Sequence, residues 1–170
     1  MKNEYTTVCG FTEEEILKKY TDDIEAFAEE NEMTYDEAVA ALRCHYDGYH
    51  FSEKSPGIYN PFSVINALDD KKLNSYWFSS GTPTFLVELL QKKGLDMLQL
   101  DDLWASEKRF DVPTEKISDP IPVLYQSGYL TIKEYDKQSR QYRLGFPNEE
   151  VRQGFSTSLF QYYSTDGMGK

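Results

Sequence analysis

The chain has 170 residues, room for one domain or two small ones, with 39% apolar and 15% aromatic residues and a formal net charge of −11. Thirteen Tyr and ten Phe exclude a disordered chain, since rings in that number are core material. The acidity disfavours phosphate backbones, and no apolar run reaches the roughly 18 residues of a membrane helix. It is concentrated in residues 1–109, which hold 11 Lys and Arg against 21 Asp and Glu. Residues 110–163 hold 6 against 7 and leave room for a local basic face. Cys9 and Cys44 match no zinc spacing and form no disulfide framework, and Met1-Lys2-Asn3-Glu4 lacks the apolar stretch of a signal peptide. The expectation is a cytoplasmic chain with no membrane partner.

In chain order, "GFTEEEILKKY" opens a helix. Thr12 can cap the amide of Glu15 while Glu15 reaches back, and three glutamates complement the helix dipole. A second helix runs over about 22–30 around Ile24, Phe27 and Ala28. Thr34 and Glu37 repeat the reciprocal cap ahead of "YDEAVAALRCHY", which ends at Asp47-Gly48, where glycine can adopt the left-handed conformation. "GIYNPFSVINAL" reads as a short extended piece and then a helix capped by Asn60 with Pro61 in its first turn. Thr82 and Pro83 repeat that logic before Phe85, Leu86, Leu89 and Leu90, with Gly94 as the stop. Another short helix is expected within "LDMLQLDDLWA".

The last third changes rhythm. A helix over about 119–126 is followed by "GYLTIKEY", a turn at "DKQSR" and "QYRLGF", with Leu130, Ile132, Tyr142 and Leu144 alternating against polar neighbours. A final helix starts at Pro147-Asn148-Glu149. Helix, hairpin, helix is a winged-helix pattern. The expected fold class is therefore α+β and mostly α: a helical lid-like bundle over 1–105, then a winged-helix-like domain with a β-hairpin wing over 106–170. The stretch from Ser106 to Ser118 is the expected linker.

Chemistry is sparse. The two histidines lie in "HYDGYHF", so His45, Asp47 and His50 are the only candidate zinc ligands of that type. The end of a helix sends the first two to different faces, however, and the third follows a glycine turn. A turn anchored by Tyr46, Tyr49 and Phe51 outweighs a metal site there. Neither G-x-x-x-x-G-K-[ST] nor G-x-G-x-x-G nor G-x-S-x-G occurs, so nucleotide-loop and nucleophile-elbow chemistry have no carrier. Asp69-Asp70-Lys71-Lys72 contains a nuclease-like D-x-K but sits at a polar helix end. Lys133, Lys137, Arg140, Arg143 and Arg152 can form a basic stripe across the wing and last helix, with Tyr135 and Tyr142 as stacking surfaces, so DNA is a possible partner. The helix "DPIPVLYQSG" carries no base-reading Arg, Lys or Asn, which weakens that reading.

The segments "CGFTEEEI", "YDGYHFS", "IYNPFSVINAL", "YWFSSGTPTFLVELL", "YQSGYLTIKEYD" and "YRLGFPNEEV" together resemble the AAA-ATPase-like family common in gut bacteria and other anaerobes, over about residues 5–163. In that family a P-loop ATPase domain is usually followed by a PD-(D/E)XK nuclease-like domain. The resemblance places this chain after the P-loop core and before the nuclease-like domain, which would be its neighbours and partners. It implies a helical lid and a winged-helix segment that convey nucleotide state, with ATP and Mg bound by the full-length parent. The phosphate loop, the Mg-binding acidic strand and the nuclease carboxylates have no counterpart here. No catalytic residue carries over, and the chain by itself is not expected to be an enzyme. Arg43 is the nearest candidate for a lid cation that meets a terminal phosphate. Tyr46, Asp47, Gly48, Tyr49 and Phe51, with Asn60, Pro61, Gly128 and Tyr129, form the expected structural signature.

Overall fold

The computed structural model describes residues 10–50, 52, 54–77, 84–94, 96–110 and 119–166. Phe51, the Thr82 cap and Pro83 lie outside the described residues, as does 111–118 of the expected linker. The fold is α+β and mostly helical, with one small three-stranded antiparallel sheet.

Four helices come first: α1 (Glu13–Lys19), α2 (Thr21–Glu30), α3 (Tyr35–Tyr46) and α4 (Pro61–Asp70). Both reciprocal caps form. The Glu15 amide donates to Thr12 Oγ1 at 3.3 Å while the Glu15 carboxylate accepts from the Thr12 amide at 2.8 Å, and Thr34 with Glu37 repeats those distances. Asn60 Oδ1 accepts from the amides of Phe62 and Ser63, so α4 starts where its proline permits. The apolar stripes of these helices meet in one core of Ile16, Ile24, Phe27, Leu42, Tyr46 and Leu68, among others.

The second group comprises α5 (Thr84–Lys93), α6 (Met97–Asp101), β1 (Leu103–Ala105), α7 (Glu107–Phe110), α8 (Pro120–Gln126), β2 (Thr131–Asp136), β3 (Gln141–Gly145) and α9 (Glu149–Asp166). The strand order is β1-β3-β2, with Leu103 opposite Leu144, Tyr135 opposite Tyr142 and a register shift between Ile132 and Glu134. The short helix expected within "LDMLQLDDLWA" is α6, and the end of that segment is a strand. The helix stops at Asp101, and Leu103, Trp104 and Ala105 pair with β3. A short apolar run reads as either state, and the open edge of β3 decides it.

That pairing also moves the division between the cores. Leu86, Leu90, Leu100 and Ala105 pack with Leu124, Leu144 and Phe155 in the second core, so the boundary expected at 105/106 falls inside it. In sequence, the two cores part between α4 and α5.

Candidate functional site

The segment quoted as "HYDGYHF" lies where the two cores meet. The last turn of α3 delivers Tyr46 into the first core, where its hydroxyl donates to the Asn74 carbonyl and accepts from the Asn74 amide, both at 3.0 Å. Asp47 then leaves the helix in extended conformation, with its amide still bonded to the Arg43 carbonyl at 3.1 Å. Gly48 follows at φ +101°, and a Cβ on it would stand 2.2 Å from the Pro147 carbonyl oxygen. The chain can pass the start of α9 there only because that position has no side chain.

Beyond the glycine, Tyr49 bridges to Ile58, and the His50 amide and carbonyl both bond Thr131 Oγ1, at 2.8 and 3.1 Å. Asn148 Nδ2 donates to the Asp47 carbonyl at 2.9 Å, and its Oδ1 accepts from the Val151 amide at 3.0 Å, so one side chain joins α3 and caps α9. Lys133 Nζ donates to the Pro147 carbonyl at 3.1 Å. A Cβ on Gly128 would stand 3.4 Å from the Tyr49 ring, and Tyr129 stacks at a tilt on Trp77 and Phe155, each with centroids 5.4 Å apart. Tyr46, Asp47, Gly48, Tyr49, Asn60, Gly128 and Tyr129 thus converge on one joint, while Pro61 opens α4 beside it.

One buried and one half-buried carboxyl lie in this joint. Glu150 is fully buried; its Oε1 accepts from Ser63 Oγ at 2.8 Å and the Trp77 amide at 2.9 Å, and its Oε2 has no protein partner. Burial pushes its carboxyl above the ordinary glutamate range, and the Trp77 amide, the Ser63 hydroxyl and the Tyr76 amide only partly offset this. Asp47 has its Oδ1 buried without a partner, against Gly57, where a Cβ would stand 2.8 Å away. Burial raises its carboxyl, and the Gly48 amide works against that rise.

The other candidate residues are dispersed. His45 turns its Nδ1 to the Ala41 carbonyl of its own helix at 3.3 Å, and His50 turns Nδ1 to the Ser55 carbonyl at 2.9 Å. A carbonyl only accepts, so His50 carries its proton on Nδ1. Among the described residues no group of three His, Cys, Asp or Glu side chains converges as a metal site. Arg43 is held in a bidentate pair by Glu13, with Nη2 donating to Oε1 at 2.7 Å and Nε to Oε2. That pairing holds the Glu13 carboxyl below its usual range.

The basic stripe is interrupted. Lys133 is an exposed residue whose ammonium is turned in against the Pro147 carbonyl, and its loss of water there lowers it below the usual lysine range. Arg143 sits between Glu134 at 3.2 Å and Asp102 at 3.7 Å, and Arg152 between Glu149 at 3.2 Å and Asp101 at 3.8 Å. Lys137 and Arg140 stand exposed in the hairpin turn that Asp136 closes through Gln138 and Ser139. Tyr135 and Tyr142 stack beside it at 4.6 Å. The exposed Leu98 flanks a groove of about 570 Å³ between α6 and α9, which Asp101, Phe146 and Arg152 also line.

Glu150, Ser63, Thr131 and Asn148 escape a sequence reading. A glutamate in a first helical turn reads as an exposed partner of the dipole, and Thr131 reads as the polar phase of a strand. Both are buried by the neighbour that packs over them.

No protein-family model and no solved structure matches the chain. Over 169 residues it is 28% identical to an uncharacterized protein in the vnfD 5′ region of Azotobacter chroococcum mcd 1. The match covers 95% of this chain and 29% of that protein, so the chain spans under a third of the length of the relative. No helix among the described residues is long and apolar enough to cross a membrane.

Proposed function

We propose that this chain is the non-catalytic helical lid and winged-helix segment of a longer, cytoplasmic AAA-ATPase-like protein, and that it couples nucleotide state to neighbouring domains. The observation that carries this reading is the joint itself. The residues that bear the resemblance to the ATPase-like family are spent on locking two cores together, with Gly48 against Pro147, Asn148 on Asp47 and Glu150 on Ser63. A segment built this way transmits movement at one end to the other as a unit. The succession of β1, α7, α8, the β2–β3 hairpin and α9, with strand order β1-β3-β2, supports the winged-helix assignment of the second half. The much longer relative supports a parent with further domains. ATP and Mg would bind in a P-loop domain of that parent, and a nuclease-like domain would be the other neighbour. Arg43 would meet nucleotide only by leaving Glu13.

The test compares the parent polypeptide with this chain. The parent is expected to bind and hydrolyse ATP, and the isolated chain to do neither. Gly48→Val in the parent should leave ATP binding intact yet abolish nucleotide-dependent changes in hydrogen exchange at the hairpin. Hydrolysis by the isolated chain, or a parent that binds no nucleotide, would overturn the reading.

One observation favours a winged-helix nucleic-acid-binding module instead: the stacked Tyr135 and Tyr142 beside exposed Lys137 and Arg140. Duplex binding lost on replacing Lys137 and Arg140 would favour it. Because Arg143 and Lys133 are otherwise engaged, the salt slope would correspond to only about two phosphates.

A further inference from the structure

We propose that Glu150 is a protonation latch between the two cores: its neutral carboxyl holds the joint closed, and loss of the proton loosens it. The geometry is unusual for an acidic side chain. Glu150 lies in the first turn of α9, yet it is fully buried and reaches across the joint to Ser63 of α4 and to the backbone of Trp77. Three separated segments of the chain therefore share one carboxyl oxygen, and the second oxygen has no protein partner.

The surroundings give an anion the amides of Trp77 and Tyr76 and the Ser63 hydroxyl, but no cation among the described residues. Tyr46 on α3, Tyr49 beyond Gly48 and Tyr76 beside Trp77 lie close enough to feel the carboxyl, and each brings an uncharged hydroxyl. On α9 itself Arg152 is turned to the surface, toward Glu149 and Asp101. Asp47 occupies another part of the same joint among Glu13, His50 and Arg43. No cation is paired with Glu150 among the described residues. A buried carboxylate without a cation is costly, whereas a neutral carboxyl at the same place costs far less. The two donors on Oε1 hold the joint and favour the anion, but they only partly offset the cost of its burial.

The sign follows from this environment. Burial raises the carboxyl in the closed joint above its value in an opened, hydrated one, so the closed joint binds the proton more tightly. Closure is therefore strongest at low pH. It weakens as pH rises from the ordinary glutamate range through the raised closed-state value, and then levels off.

The reporter is hydrogen exchange at the Trp77 amide, which donates to Glu150 directly at 2.9 Å. In the full chain its protection, corrected for intrinsic exchange, is expected to fall by up to about tenfold per pH unit across that window. Glu150→Gln keeps a carbonyl acceptor and removes the ionisation, so the profile should become flat. Ser63→Ala removes a donor that favours the anion, so the levelling-off should move to higher pH. A role in packing alone would instead lower protection by the same factor at every pH. A flat wild-type profile, a slope retained in Glu150→Gln, or a slope abolished by Asp47→Asn would overturn the proposal. If Glu150→Gln does not fold, an unmoved profile in Ser63→Ala overturns it and a displaced one supports it.

Discussion

Gly48 and His45 stand three residues apart in the same motif and differ in what depends on them. The positive φ of Gly48 and the 2.2 Å approach of a would-be Cβ to Pro147 leave no room for a side chain, and the opposing atom is backbone. Gly48→Val is expected to destabilise the chain by about 3 kcal/mol or more. His45 bonds only its own helix, so His45→Gln should cost under about 1 kcal/mol. Urea unfolding of the two variants checks the contrast, and equal effects would remove the account of the turn. Arg43 belongs to the same scale. Its pair with Glu13 is half exposed, so Arg43→Ala should change stability by no more than about 1 kcal/mol, read from the urea midpoint. Gly48 was legible in the sequence as a turn glycine. That its missing side chain admits Pro147 was not, because Pro147 is 99 positions along the chain.

At the scale of the element, the helix starts were the most readable features. A capping box is local: a side chain reaches three residues along its own backbone, and no tertiary partner is needed. Those caps also have a pH signature. Backbone and side-chain bonds from Thr12 and Thr34 hold Glu15 and Glu37 below the ordinary carboxylate range. Depressed folded values mean that the stabilisation is present above the unfolded glutamate value of 4.5 and is lost as pH falls through the folded values. Acid titration followed by circular dichroism should therefore show an early loss of helix that Thr12→Ala and Thr34→Ala flatten. Asn60→Ala is expected to cost about 1 kcal/mol at any pH, because its amide oxygen does not titrate. Strand β1 was not legible. Leu103-Trp104-Ala105 has no signal of its own, and it extends because β3 offers it an edge.

For the whole molecule, the joint decides whether two cores behave as one. Asn148, Glu150 and Thr131 link the two sides through buried or half-buried hydrogen bonds, and Gly48 lets the backbone pass close to Pro147. The chain is therefore expected to unfold in a single transition, with tyrosine and far-ultraviolet signals coincident. Gly48→Val should separate that transition into two, because each core keeps its own apolar cluster. Two transitions in the wild type would mean that the joint contributes little. The division expected at 105/106 missed this organisation. Composition shifts mark changes in surface charge, whereas cores are divided by the pairing of distant segments.

The sequence by itself determined the class of fold, the capped starts of α1, α3 and α4, the hairpin of β2 and β3, and the turn after α3. These depend on contacts within a few residues or on a simple period, so local chemistry is enough. The tertiary structure alone decided that β1 is a strand, that Thr131 and Glu150 are buried, and that Tyr46, Asp47, Gly48 and Tyr49 serve a joint. Each of these depends on partners far along the chain, such as Leu144, 41 positions from Leu103, or Asn148, 101 positions from Asp47. Burial is a property of what packs over a residue, and nothing within reach along the chain carries it.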